Sequence, residues 1–178
     1  YMERDFVVPK DFEDYAYVSQ LLQARGMKTA NESHRRAKPY CMGTLYWQFN
    51  DCWPVTSWSS LDYYGNWKAF HYQAKRSFEN VLLSAEVTDS GVYKFFVIND
   101  GMQNYAGELK AEIRNFKGQL LWEKKAYCKS DASSNVAAIL LPFPSLKEFD
   151  TQNSYLKMEF ISDDNYWESN FFFEKPKD

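Results

Sequence analysis

The sequence predicts two unlike halves: residues 1–82 as the C-terminal slice of an α/β, (β/α)8 TIM barrel, and residues 83–178 as an all-β, immunoglobulin-like sandwich. Three observations carry this. A 3.6-residue apolar period runs through the first forty residues and recurs after Gly65. Between the two lies one short aromatic-rich run, Met42 to Phe49, of the kind that forms a buried strand. From about Leu82 the pattern shifts to short runs separated by turn residues.

Pro9-Lys10-Asp11 reads as a helix start, with Asp11 as N-cap and Asp14 in the first turn at the positive end of the helix dipole. Phe12, Tyr15, Val18 and Leu22 then mark one face, with Leu21 beside them. Gly26 could end the helix at a C′ position. Met27, Ala30 and His34 carry the stripe onward to Arg35-Arg36, so the reading is one long helix tolerating a glycine and stopped by Pro39. The Met42–Phe49 strand follows, then a loop, then a second helix opened by Gly65-Asn66 with Trp67, Phe70, His71, Ala74 and Phe78 on one face.

Seven strands are expected in the second half: Leu82–Val87, Val92–Ile98, Glu108–Phe116, Leu120–Lys129, Asn135–Pro142, Tyr155–Ser162 and Trp167–Phe173. Asp89-Ser-Gly91, Asn99-Asp-Gly101, Lys117-Gly118 and Asp163-Asp-Asn165 supply turns, several with the positive φ that tight hairpins need. Leu109, Ala111 and Ile113 alternate with Lys110, Glu112 and Arg114; Leu156, Met158 and Phe160 alternate with Lys157 and Glu159. Each such strand has one dry and one wet face, as in a sandwich. The first half has no comparable completeness. Two helices and one central-type strand cannot close a barrel that needs eight such units, and a lone strand with two bare edges is an aggregation hazard unless covered. The start at Tyr1-Met2, without a signal peptide, and the end at Lys175-Pro-Lys-Asp178 read as cuts through a longer protein.

Composition narrows the function. Of 178 residues, 45% are hydrophobic and 19% aromatic, and the aromatic excess suits either a β-rich core or stacking surfaces for sugars or bases. A net charge of −3 with interspersed signs points away from nucleic acid and anionic membranes. No run of about 18 apolar residues is present to span a bilayer. Cys41, Cys52 and Cys128 lack metal-ligand spacing, and their odd number excludes a full disulfide framework. Buried free thiols are the favoured reading, with Cys41–Cys52 as the alternative pair.

The richest run is Gly43-Thr-Leu-Tyr-Trp-Gln-Phe-Asn-Asp-Cys-Trp-Pro-Val-Thr-Ser-Trp-Ser-Ser-Leu-Asp-Tyr-Tyr64, continuing through Gly-Asn-Trp-Lys-Ala-Phe-His-Tyr-Gln-Ala-Lys75. It resembles the last barrel strand and helix of the β-mannosidases of glycoside hydrolase family two. Asp11 to Ala24 resembles the preceding barrel helix, so the likeness covers residues 11–80 and is only architectural beyond about 85. The closing Lys175-Pro-Lys-Asp178 resembles a link to a further sandwich. What the resemblance implies is exo-hydrolysis of terminal β-mannose with retention, by two carboxylates about 5–5.5 Å apart, with no cofactor. Both catalytic glutamates would come from earlier barrel strands, upstream of this chain, and the expected partner domains are an N-terminal barrel portion and sandwich domains. Its partner would be a mannose-containing oligosaccharide, and its setting periplasmic, secreted or lysosomal.

Local carboxylates do not replace the missing pair. Glu3, Asp5, Glu13, Asp14 and Glu32 are expected on or near a solvated helical exterior, and Asp51 alone is not a pair. No catalytic residue is therefore assigned. The expected substrate-binding residues are Trp47, Asn50, Asp51 and Trp53. The Trp47 indole, near the strand's C-terminal end, can stack on a pyranose face; the alternative is a barrel-core tryptophan, and the resemblance favours binding. Asn50 and Asp51 can take sugar hydroxyls, since a carboxylate accepts and an amide does both, or they can shape an Asx turn. Trp53-Pro54 and Trp58 can wall a site or pack the loop. His71 reads as a satisfied structural histidine and His34 as a surface group, while Phe171-Phe-Phe173 with Trp167 reads as a core strand.

Three functions remain open from the sequence: a piece of the glycosidase, a stand-alone carbohydrate-binding module, or a structural or interface domain that buttresses the barrel, the last being preferred for the sandwich alone. Among enzymes, the alternatives are family-two members acting on β-galactosides, β-glucuronides or glucosaminides. A binding module would set Tyr93, Trp122, Tyr127, Tyr155 or Trp167 on one exposed flat face, whereas strand alternation turns several of them inward.

Overall fold

A computed structural model describes residues 1–90, 92–142 and 147–178, so Gly91 of the Asp89–Gly91 turn lies outside the described residues. The chain divides into two compact units, Tyr1–Glu79 and Asn80–Pro176. Most of its regular structure is a β-sandwich of immunoglobulin-like form, and the helices are few.

In the first unit a one-turn helix α1 (Met2–Asp5) precedes α2 (Phe12–Arg36), which runs unbroken through Gly26. The Asp11 side chain accepts from the Asp14 backbone N–H at 2.9 Å, satisfying one orphan donor of the first turn. His34, Arg35 and Arg36 close the helix, and the two arginines place cations where the dipole is negative. Helix α3 (Ala69–Ser77) begins later than Gly65-Asn66 would have it. The Asp62 carboxylate takes the backbone N–H groups of Tyr64 and Asn66 and the Asn66 amide, with Gly65 at φ +84, and this turn uses the donors a helix would need. Two acids expected in solvent are buried instead. Asp5 pairs with Arg4 at 2.7 Å, and Glu32 pairs with Lys28 and, at 3.7 Å, with Arg36.

Among its described residues the second unit holds seven antiparallel strands: β1 (Val81–Val87), β2 (Val92–Asn99), β3 (Tyr105–Asn115), β4 (Leu120–Ser130), β5 (Ser134–Pro142), β6 (Ser154–Ser162) and β7 (Asn165–Phe172). They form a three-stranded sheet in the order β1-β2-β5 and a four-stranded sheet in the order β4-β3-β6-β7. Inward residues of both sheets make one core: Val81, Leu83, Phe95 and Val97 face Leu109, Ile113, Leu156 and Phe160. Register is pinned where main chain meets main chain most closely. A Cβ on Gly107 would lie 1.8 Å from the Ile161 carbonyl oxygen, and beside it the Ser162 hydroxyl donates to Ala106 O at 3.0 Å. Asn99, fully buried, donates to the Gln103 and Ser130 carbonyls and accepts from the Gly101 N–H, tying the β2–β3 turn to the end of β4.

The outer face of the four-stranded sheet carries a ladder of alternating charge. Lys110 contacts Glu112 at 2.6 Å and Glu159 at 2.7 Å; Arg114 contacts Glu112 at 2.6 Å; Lys157 reaches Glu159 at 2.8 Å and Glu168 at 3.4 Å. The Tyr166 hydroxyl lies 2.8 Å from both Glu159 and Glu168. Burial pushes the Glu159 carboxyl up, but hydrogen bonds from Lys110, Lys157 and Tyr166 outweigh it and hold the pKa at about 2. Because this lies below the ordinary carboxylate value, the stabilisation is full above about pH 4.5 and is lost as pH falls towards about 2. Urea unfolding of the chain between pH 5 and pH 2 should therefore show a falling midpoint, and Glu159→Gln should flatten that slope. An equal slope in both proteins would refute the assignment to Glu159.

Candidate functional site

Residues 44–49 alternate in burial with period two: Thr44, Tyr46 and Gln48 are half-buried, while Leu45, Trp47 and Phe49 are exposed, Leu45 completely. The expected Met42–Phe49 strand is not formed: the run bends at Trp47 and Phe49 and makes no ladder. A ladder needs a neighbour, and among the described residues the run meets one only at its end, where Asn50 bridges Leu61 in parallel and Leu61 in turn bridges Trp67. The peptide between Trp47 and Gln48 is cis.

The loop after this segment is held from below. Asp51 is 4% exposed. One of its carboxylate oxygens accepts from the Lys68 ammonium at 3.0 Å and the other from the Ser57 hydroxyl. Lys68 also donates to the Ser59 hydroxyl at 2.8 Å, and Ser59 donates to the Leu61 carbonyl at 2.6 Å. The Ser57 hydrogen bond chiefly lowers the Asp51 pKa; burial opposes it, and Ser59 and Lys68 add to it. The carboxylate expected to meet a sugar thus faces inward and fastens the loop to the approach of α3. Asn50 is likewise engaged locally, its amide donating to the Asp51 carbonyl at 3.2 Å while its own carbonyl accepts from Gln48. Helix α2 adds two struts: Gln23 donates to the Trp58 carbonyl at 2.7 Å, and Gln20 accepts from the Ala69 N–H at 3.1 Å, capping α3 where Lys68 offers no side-chain acceptor.

What remains outward is aromatic. Trp47 is 77% exposed and Trp53 63% exposed, and neither makes a hydrogen bond or ring contact among the described residues. Trp58 is also largely exposed. Four site residues were expected, and the structure leaves Trp47, Asn50 and Trp53 at the surface and withdraws Asp51. The sequence reading missed Lys68, Ser57, Ser59 and Ser60, although three hydroxyls in Ser57-Trp-Ser-Ser60 beside an acid are the signal of a bracketed carboxylate.

The cysteines are free: Cys128 is buried, Cys41 half-buried and Cys52 exposed, so only one of the three matches the buried-thiol expectation. Among the described residues no group of three or more His, Cys, Asp or Glu could hold a metal, and no helix is long and apolar enough to cross a membrane. In the sandwich, Tyr93 is buried between Phe171 and Phe173, and Trp122 and Trp167 pack on the core. Tyr127 is exposed, and Tyr155 stacks with Phe116 on the outer face, so these five rings do not share one flat surface.

Residues 91–178 match the family model of the mannosidase Ig/CBM-like domain. The chain is 36% identical over 115 residues to a β-mannosidase of Rattus norvegicus, covering 61% of this chain and 13% of that protein. It is 45% identical over 78 residues to a β-mannosidase of Bos taurus, covering 40% and 9%. Among solved structures, the β-D-mannosidase of Dictyoglomus thermophilum aligns over 99% of this chain and 22% of its own, with a TM-score of 0.88 and 28% identity. An exo-chitosanase of Amycolatopsis orientalis aligns over 97% and 21%, with a TM-score of 0.81; at 18% identity it shares the fold. The chain spans about an eighth of the length of the first of these curated relatives. Its last 88 residues thus match a mannosidase Ig/CBM-like domain, and the chain is similar to segments of β-mannosidases.

Proposed function

We propose that the chain is part of a retaining exo-β-mannosidase of glycoside hydrolase family two, removing terminal β-D-mannose from glycans or manno-oligosaccharides. In this reading residues 1–82 are the C-terminal segment of a TIM-barrel catalytic domain, with Thr44–Phe49 as its last strand, and residues 83–178 are a buttressing sandwich. The observation that carries it is the run of alternating burial, without a ladder of its own, that leads into an aromatic loop braced from the inside by Asp51 and Lys68. A rigid strand end followed by a fixed loop is how a barrel presents a ligand. Trp47, Asn50 and Trp53 form one wall of the sugar site; Asp51 positions the loop; the two catalytic glutamates belong to other parts of the protein.

The test is hydrolysis of chromogenic β-mannoside, β-glucoside and β-glucosaminide by the full-length protein. Selective cleavage of the β-mannoside supports the proposal, and preference for either of the others overturns it. In the same assay Trp47→Ala removes a stacking face. Roughly 80 Å2 at about 25 cal/mol per Å2 is about 2 kcal/mol, so kcat/KM should fall about 30-fold. An unchanged kcat/KM would remove Trp47 from the site.

A further inference from the structure

Ser60 sits fully buried where three segments meet, and its hydroxyl touches three polar atoms. The Phe49 carbonyl oxygen is at 2.8 Å, the Tyr46 hydroxyl at 3.1 Å and the His71 Nδ1 at 3.0 Å. A carbonyl cannot donate, so the single Ser60 hydrogen goes to Phe49 O. The two remaining contacts must then be donated to the Ser60 lone pairs, one by the Tyr46 O–H and one by His71 Nδ1–H. This assigns the His71 tautomer from proton accounting. The imidazole is held edge-on between Phe49, at 5.4 Å, and Trp67, at 4.4 Å.

The same hub pins the backbone on both sides of Trp47. Tyr46 is fixed by its hydroxyl, the Gln48 carbonyl by the Ser60 N–H at 3.0 Å, and the Phe49 carbonyl by both the Ser60 hydroxyl and the Leu61 N–H at 2.8 Å. Trp47 makes no hydrogen bond or ring contact of its own among the described residues, so its direction is set by these flanks. We propose that His71 is a positioning residue of the sugar site, acting through Ser60 to hold Trp47 against the pyranose; this rests on the reading given under Proposed function. Without the Nδ1–H donor a Ser60 lone pair is left unsatisfied in a dry site, and the hydroxyl leaves Phe49 to recover it.

The test uses the full-length enzyme with 4-nitrophenyl β-D-mannoside as substrate and free mannose as inhibitor. Asparagine places an amide N–H the same number of bonds from Cα as Nδ1, whereas glutamine places it one bond further. His71→Gln should raise both KM and the mannose Ki about 10-fold, with kcat within about threefold, and His71→Asn should restore both. A merely structural histidine would instead lower kcat with the folded fraction, read by circular dichroism, and leave KM and Ki unchanged. That result, or equal behaviour of the two variants, overturns the inference. Failure of the unmodified enzyme to cleave the β-mannoside would instead overturn the functional reading beneath it.

Discussion

Gly107→Ala is expected to cost on the order of 3 kcal/mol or more, because the added methyl enters backbone rather than a yielding side chain. It would sit 1.8 Å from the Ile161 carbonyl oxygen, 2.8 Å from its carbon and 3.0 Å from Ser162 Cα. Relief requires β3 to draw away from β6, the central pair of the four-stranded sheet, and so to break the Ser162–Ala106 bonds beside it. Urea unfolding reads this as a large fall in midpoint or loss of the cooperative transition. Gly26→Ala is the matched control. Its Cβ meets nothing within 4 Å on α2, so it should stabilise by about 0.5–1 kcal/mol. Similar midpoints for the two variants would refute the close approach.

The second large effect lies one layer inward. Phe160 is completely buried on β6 and stacks on Trp167 with ring centroids 5.6 Å apart and 21° between planes. Phe160→Ala removes a ring from a core drawn from both sheets, and the strands on either side are too well paired to collapse onto the gap. The expected cost is about 3–5 kcal/mol, against a typical total of about 5–15 kcal/mol for a domain. Phe160→Leu should recover most of it. An alanine variant with a wild-type urea midpoint would show that the core closes over the vacancy.

The sandwich was legible because each strand states its own face. Leu156, Met158 and Phe160 lie in the core where alternation puts them, and all seven strands appear within a few residues of their expected ends. The largest shift, β3 beginning at Tyr105 rather than Glu108, follows from Gly107, which weakens the strand pattern just where tertiary contact demands it. The Asp11 cap and the helix through Gly26 were also local signals, and they hold. What could not be read was long-range. Asp51 finds Lys68 seventeen positions along, so its burial is not written in neighbouring residues. Glu32 is the local exception, since Lys28 and Arg36 each lie four positions away on α2. Met42–Phe49 shows the converse case, a strand pattern legible in sequence whose ladder depends on a partner.

The charged ladder on the four-stranded sheet has a consequence for encounter. Lys110, Arg114 and Lys157 are matched one for one by Glu112, Glu159 and Glu168, all within direct contact distance. Opposite charges so close together cast little field beyond a Debye length of about 8 Å at physiological salt. These six charges neither draw in nor turn away a charged partner from afar, and association at this face is governed by shape and short-range contact, with rates that depend little on ionic strength.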